Sequence, residues 1–209
     1  MDIKTIPIGP LQTNCYLVAC PETHAAVLID PAWSGEKLYE LVQDEGVELA
    51  AILLTHAHFD HVGGAADLKR SSSARLLAHP DSGPLLAEAH RHALLWGLRM
   101  DPAPAADGEL AGGQVIEVGT LRLEVLETPG HAPGHVSFYE PAAKAVFSGD
   151  TLFKNGIGRS DLPGGNPSVL MESIRNKLLT LPDDTVVYSG HGPATTIGDE
   201  RRWNAFLRP

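Results

Sequence analysis

The sequence predicts a layered α/β fold, and three observations carry that prediction. β-rich runs occur in clusters with helical stretches between them. The hexapeptide Leu49–Leu54 is apolar throughout, as a strand buried on both faces is. No repeat or linker divides the 209 residues, so the chain reads as one domain, 1–209, long enough to enclose a full hydrophobic core.

The elements follow in order. Ile3–Ile8 is a short apolar strand. Asn14–Cys20 and Ala25–Asp30 are β-rich, and the turn Pro21-Glu22-Thr23-His24 between them predicts a hairpin. Ser34 stands at an N-cap position, Lys37–Glu45 has helical spacing through Leu38, Leu41 and Val42, and Gly46 stops it. Beyond the buried strand Leu49–Leu54, Gly63–Lys69 starts a short helix, Arg75–Ala78 is a strand and Ser82–Leu95 is a helix. Gly97–Gly113, rich in Pro, Ala, Gly and Asp, is expected as an irregular loop or lid that covers the site and helps choose the substrate. Val115–Val118 and Leu121–Glu127 form a second hairpin around Gly119-Thr120. Val136–Tyr139 and Ala145–Ser148 form a third across Glu140–Lys144. Pro167–Leu179 is a helix, Thr185–Ser189 a strand and Asp199–Leu207 a closing helix.

Composition narrows the function classes. Hydrophobic residues make up 43% and charged residues 20%, the balance of a globular rather than a disordered chain. The formal net charge is −10 and no basic face gathers, so no nucleic-acid partner is expected. Part of the carboxylate excess is open to compensation by bound cations. No run of eighteen apolar residues exists, so no membrane span is expected. Met1-Asp2-Ile3-Lys4 opens no basic and apolar leader, which points to the cytoplasm. The two cysteines, Cys15 and Cys20, fall in one strand, about 17 Å apart and on opposite faces, too far for a disulfide. Two reduced cysteines fit the same compartment.

The chemistry sits at strand ends. Of ten histidines, His56, His58 and His61 stand within six residues beside Asp60, in the run Thr55-His56-Ala57-His58-Phe59-Asp60-His61. Imidazole and carboxylate together are ligands for Zn, Fe or Mn. His56 and His58 are two apart and point the same way from extended chain, so one ion can take both. Asp60 and His61 follow a turn and face a neighbouring point. Three further segments end apolar runs in the same manner: Thr128-Pro129-Gly130-His131-Ala132-Pro133-Gly134-His135, Ser148-Gly149-Asp150-Thr151 and Ser189-Gly190-His191-Gly192. Glycines beside the polar residues let the backbone approach a ligand closely. Asp150 has two oxygens with which to bridge ions about 3.5–4 Å apart. His24, His79, His90 and His92 are expected outside the centre, and His135 in a supporting place. Gly156-Ile157-Gly158 precedes Arg159 without a clear helix and reads as a loop rather than a dinucleotide site. No Gly-x-Ser-x-Gly elbow occurs.

These motifs resemble those of the metallo-β-lactamase superfamily. The resemblance implies an αββα sandwich, with two packed sheets, helices outside and metals at one edge. It implies that His56, His58 and His131 hold one divalent ion, that Asp60, His61 and His191 hold a second, and that Asp150 bridges them. Zn is the expected metal, with Fe or Mn also suited to the donors. Two ions around an open position bring the pKa of a bound water toward about 7, and the resulting hydroxide attacks a carbonyl while Asp60 orients it. Asp60 and Asp150 are therefore the expected catalytic carboxylates.

Within that superfamily, Phe147–Phe153, Gly156–Asp161 and Thr128–His131 are most similar to glyoxalase II, the hydroxyacylglutathione hydrolases. The implied substrate is a small molecule, a glutathione thioester such as S-lactoylglutathione, with Arg159 pairing a substrate carboxylate. Only 18 residues follow His191, too few for the usual helical domain of those enzymes, so the chain resembles the short, single-domain bacterial type. A rival reading is a glutathione persulfide dioxygenase with a single iron, since that group shares the stretch matched by Gly156–Asp161. Its last histidine lies in a Pro-Ala-His-Asp-like context, whereas Ser189-Gly190-His191-Gly192 stands here. The sequence sets no oligomeric state.

Overall fold

Each apolar run finds its place in one of two six-stranded sheets in the computed structural model, which describes residues 1–208. The first sheet holds β1 (Asp2–Ile8), β2 (Thr13–Ala19), β3 (Ala25–Ile29), β4 (Glu48–Leu53), β5 (Arg75–Ala78) and β6 (Gly108–Glu109), in that spatial order. The first three strands are antiparallel, and β3 through β6 are parallel. The second sheet contains β7 (Val115–Val118), β8 (Leu121–Glu127), β9 (Val136–Glu140), β10 (Ala145–Gly149), β13 (Val186–Ser189) and β14 (Thr195–Thr196). It is antiparallel except where β10 runs parallel to β13. A small hairpin, β11 (Leu152–Phe153) with β12 (Gly156–Ile157), stands apart.

Strand periodicity sorts side chains into layers. On β2, Cys15, Leu17 and Ala19 face outward and pack with Leu38 and Val42 of α1 (Gly35–Asp44), Leu68 of α3 (Ala65–Ser71) and Leu86 and Ala89 of α4 (Gly83–Leu95). Tyr16, Val18 and Cys20 face inward and meet Leu123, Phe138 and Phe147 of the second sheet. On the far side of that sheet, Tyr139, Val146 and Val187 pack against Leu170 of α5 (Pro167–Ser173), Ile174 and Ile197 of α6 (Ile197–Trp203). Helix, sheet, sheet and helix thus form the four layers of the αββα sandwich. Phe138 and Phe147 are fully buried between the sheets, each contributing roughly 1.5–3 kcal/mol. Cys15 and Cys20 are free and lie in different cores, as their odd spacing requires.

The structure corrects several expected boundaries. Ser34 occupies the N-cap position of α1 in a left-handed conformation, φ 48°, and its side chain makes no capping bond. The closing helix is Ile197–Trp203 rather than Asp199–Leu207. Thr196 Oγ1 accepts the amide of Asp199, so the first turn starts earlier, and Asn204 turns extended. The expected helix Pro167–Leu179 is α5 followed by a wider turn at Ile174–Leu178, with Asn166 as its cap. Gly97–Gly113 does not line the cleft at the candidate site. Leu98, Met100 and Ala103 pack on the outer core, Leu110 is buried between the sheets, and Gly108–Glu109 pairs with β5. Its apolar residues hold it against the first sheet. No described helix is long and apolar enough to cross a membrane.

Candidate metal centre

The chain segments leaving the C-terminal ends of β3, β4, β10 and β13 meet at one edge of the sandwich, with the β8–β9 connection beside them. β4 leads into the irregular segment Leu54–His58, bent at Thr55 and extended at His58, and the single turn α2 (Phe59–Val62) swings Asp60 and His61 to the next position. His56, His58 and His131 gather with ring centroids 4.6 to 4.9 Å apart. Asp60, His61 and His191 form a second group. His191 Nε2 lies 3.2 Å and His61 Nε2 3.6 Å from Asp60 Oδ2. Asp150 stands between them, with Oδ2 3.6 Å from His131 Nε2 and 3.6 Å from His191 Nε2, and Oδ1 3.4 Å from His61 Nε2. All seven predicted residues are therefore together, and the donors of each triad lie within 4.8 Å of one another.

Hydrogen bonds settle how the imidazoles face. Thr55 Oγ1 donates to Asp30 Oδ2 at 2.6 Å and accepts from His56 Nδ1 at 3.0 Å. His61 Nδ1 donates to the same Asp30 oxygen at 2.9 Å, and the Thr55 amide donates to Asp30 Oδ1 at 2.7 Å. His131 Nδ1 donates to the Arg159 carbonyl at 2.7 Å. In each case the outer nitrogen is occupied and Nε2 is left for the centre. His58 differs, placing Nδ1 2.8 Å from His131 Nε2. His135 stacks on His56, donates from Nδ1 to Thr128 Oγ1 at 2.9 Å and accepts the Asp150 amide at Nε2, 3.2 Å away. It braces the Asp150 turn.

The residues fit a cation. His56 Nε2, His61 Nε2 and Asp150 Oδ1 are buried without a hydrogen-bond partner, which is rare and costly for polar atoms. All three belong to the two triads and the carboxylate between them, a donor set of the kind that divalent Zn, Fe or Mn takes. Titration points the same way. Burial, then the neighbouring His61 and other imidazoles, push His56 far down, and burial with His131 brings His58 to about 3, so these rings stay neutral. Burial alone would lower His61, but Asp150, Asp60 and Asp30 outweigh it and raise it well above the usual imidazole range. Burial would raise Asp60 and Asp150, yet His61 prevails and holds both down as carboxylates. The two carboxylates thus favour positive charge beside them, which His61 carries as a proton here.

Glycine makes the approach possible. A Cβ at Gly190 would lie 2.1 Å from Asp150 Oδ1, and one at Gly149 would meet Thr55 Oγ1 at 2.5 Å. The centre floors an open cleft of about 750 Å³. It is lined by Leu11, Phe59, Leu85, His92, Leu95 and Trp96 from the first sheet's loops and helices, and by Phe153, Arg159, Leu162 and Pro163 from the chain after β10. Arg159 reaches this cleft, and its guanidinium makes two 2.8 Å bonds to Asp161. His24, His79, His90 and His92 stand outside the triads, although His92 lines the cleft wall. Gly156–Ile157 is strand β12 rather than the expected loop, and no helix opens directly after it.

Sequence reasoning missed Asp30, Thr13 and Asn14. Asp30 ends a buried apolar strand, as Asp150 does, and that position was its one signal. Thr13 Oγ1 donates to Asp60 Oδ2 at 3.0 Å. Asn14 Nδ2 donates to the carbonyls of Ser189 and Gly192, both at 2.9 Å, and so fixes the turn that carries His191.

An αββα sandwich with histidines and aspartates gathered at its strand ends defines a class of metal-binding enzymes. The chain belongs to the metallo-β-lactamase superfamily, whose family model matches residues 8–191. It is 40% identical to the probable metallo-hydrolase YqgX of Bacillus subtilis, over 99% of this chain and 98% of that one. It is 39% identical to the hydroxyacylglutathione hydrolase GloC of Haemophilus influenzae, again over 99% and 98%. Among solved structures, the BLEG-1 B3 metallo-β-lactamase superposes with a TM-score of 0.93 at 40% identity, over all of both chains. TTHA1623 in a di-iron-bound form gives 0.91 at 46%, over 98% and 100%. ETHE1 from Myxococcus xanthus gives 0.83 at 30%, over 99% and 84%.

Proposed function

We propose that this chain is a binuclear metal-dependent thioesterase of the hydroxyacylglutathione hydrolase type. The observation that carries the reading is the pair of triads sharing Asp150 at the floor of an open cleft. The full-length similarity to a hydroxyacylglutathione hydrolase supports the thioester substrate. His56, His58 and His131 would hold one ion, Asp60, His61 and His191 the other, and Asp150 would bridge them. Bound divalent ions supply Lewis acidity for the thioester carbonyl and make water a nucleophile near neutral pH. The chain's own groups do the rest. Asp60, steadied by Thr13, orients water toward the carbonyl carbon. The Arg159 guanidinium pairs a carboxylate of the thiol portion, exchanging Asp161 for it. Water adds to the carbonyl carbon, the C–S bond breaks, and the products are a carboxylic acid and a thiol.

Turnover of glutathione thioesters by protein loaded with defined Zn, Fe or Mn tests this. Release of free thiol with matching acid is the expected result, and no release with any of the three metals would refute it. The similarity to ETHE1 keeps a second reading in view, oxygen chemistry on a glutathione persulfide with one iron. One iron per chain with oxygen consumption would establish that reading instead.

A further inference from the structure

Beyond the metal-binding residues, the cleft is lined mostly by apolar side chains, with a single cationic one among them. The wall built on the first sheet presents Leu11 from the β1–β2 connection, Phe59 from α2, and Leu85, Leu95 and Trp96 from α4 and its end. Three of these are large apolar side chains left in solvent, with Leu95 84%, Trp96 57% and Leu11 37% exposed. Trp96 packs on Phe59 with ring centroids 5.9 Å apart, which ties the exposed face to the turn carrying Asp60. Arg159, grouped with the apolar Phe153, Leu162 and Pro163, is the one Lys or Arg side chain lining the cleft, and it is already paired with Asp161. An exposed apolar patch that runs into a reactive centre marks a ligand surface.

We infer that this wall is an acyl subsite, and that the preferred substrates are thioesters with extended apolar acyl groups rather than small hydroxyacyl groups. The inference rests on the thioesterase reading for its chemistry. A thioester has two arms leaving one carbonyl. The arm carrying carboxylates belongs with Arg159, so the acyl arm lies along Leu11, Leu95 and Trp96. A lactoyl group is too short and too polar to cover that face, whereas a chain of about six carbons removes it from water.

Binding of two non-hydrolysable thioethers, S-methylglutathione and S-hexylglutathione, to the zinc-loaded full chain by calorimetry reads the subsite without turnover. Five added methylenes, partly covered by the wall, are expected to tighten binding at least about tenfold. The double variant Leu11→Ser, Leu95→Ser alters only exposed side chains, and it should bring the hexyl-to-methyl ratio near one. Equal affinity for the two compounds, or no binding of either, overturns the inference, as does a ratio unchanged in the double variant. Turnover of S-lactoyl- and S-hexanoylglutathione separates the two claims. Tight hexyl binding without hydrolysis of either thioester would sink the thioesterase reading and keep the subsite. Hydrolysis of both at equal kcat/KM with equal thioether affinities would keep the thioesterase and sink the subsite.

Discussion

The two triads share one carboxylate yet are built differently. His56, His58 and His131 are all imidazole, and His56 and His131 are nearly sealed from solvent. Asp60, His61 and His191 include a carboxylate, and the side chain of His191 is 31% exposed. Their supports differ too. The first is braced through Thr55 and the Arg159 carbonyl, the second through Thr13. Asp30 alone reaches both, through Thr55 to His56 and directly to His61. The contrast teaches that an all-imidazole group and a carboxylate-bearing group that opens to solvent at His191 can be separate parts of one centre. The first is expected to be preorganised and the second adjustable.

Mutations can break this comparison or sharpen it. The largest effect is expected from His56→Ala, which removes a ligand from the buried triad and should lower thioester turnover by more than about 100-fold, beyond what loss of a supporting residue costs. Near-normal turnover in that variant would remove the first triad from the account. Asp30→Asn should weaken metal affinity by up to about 100-fold, measured by competition with a chelator, because it loosens His61 and Thr55 together. Unchanged affinity would mean that the shared brace is irrelevant. Thr13→Val keeps the shape and removes one bond to Asp60, so it should weaken only the second ion, by about tenfold. Equal weakening of both ions would contradict the division of supports.

The same contrast explains what was legible in the sequence. The run Thr55–His61 could be read because two spacings do the sorting. Residues two apart on extended chain share a face, and one helical turn moves Asp60 and His61 aside. His131, Asp150 and His191 were legible as polar residues between glycines at strand ends. Asp30, Thr13 and Asn14 were not, because they are ordinary polar residues at the edges of apolar strands, Asp30 after β3 and Thr13 and Asn14 at the start of β2. Their meaning depends on neighbours 25 to 178 positions away that only the fold brings within about 3 Å. A layered α/β fold followed from the clustered strand and helix runs, and the αββα arrangement from the family resemblance. The two-residue strands β6, β11, β12 and β14 are too short to show any period. The path of Gly97–Gly113 was misjudged because breaker residues announce irregular chain but not where it lies. Leu98, Met100 and Leu110 decided that by burial.

Metal content tests the central claim most directly. Wild-type chain, Asp60→Ala and His58→Ala, each saturated with zinc and freed of excess, can be counted by elemental analysis alongside circular dichroism to establish folding. Two ions in the wild type and about one in each folded variant is the predicted result. A single ion in the wild type, or two retained in either variant, would contradict a centre made of two distinct triads.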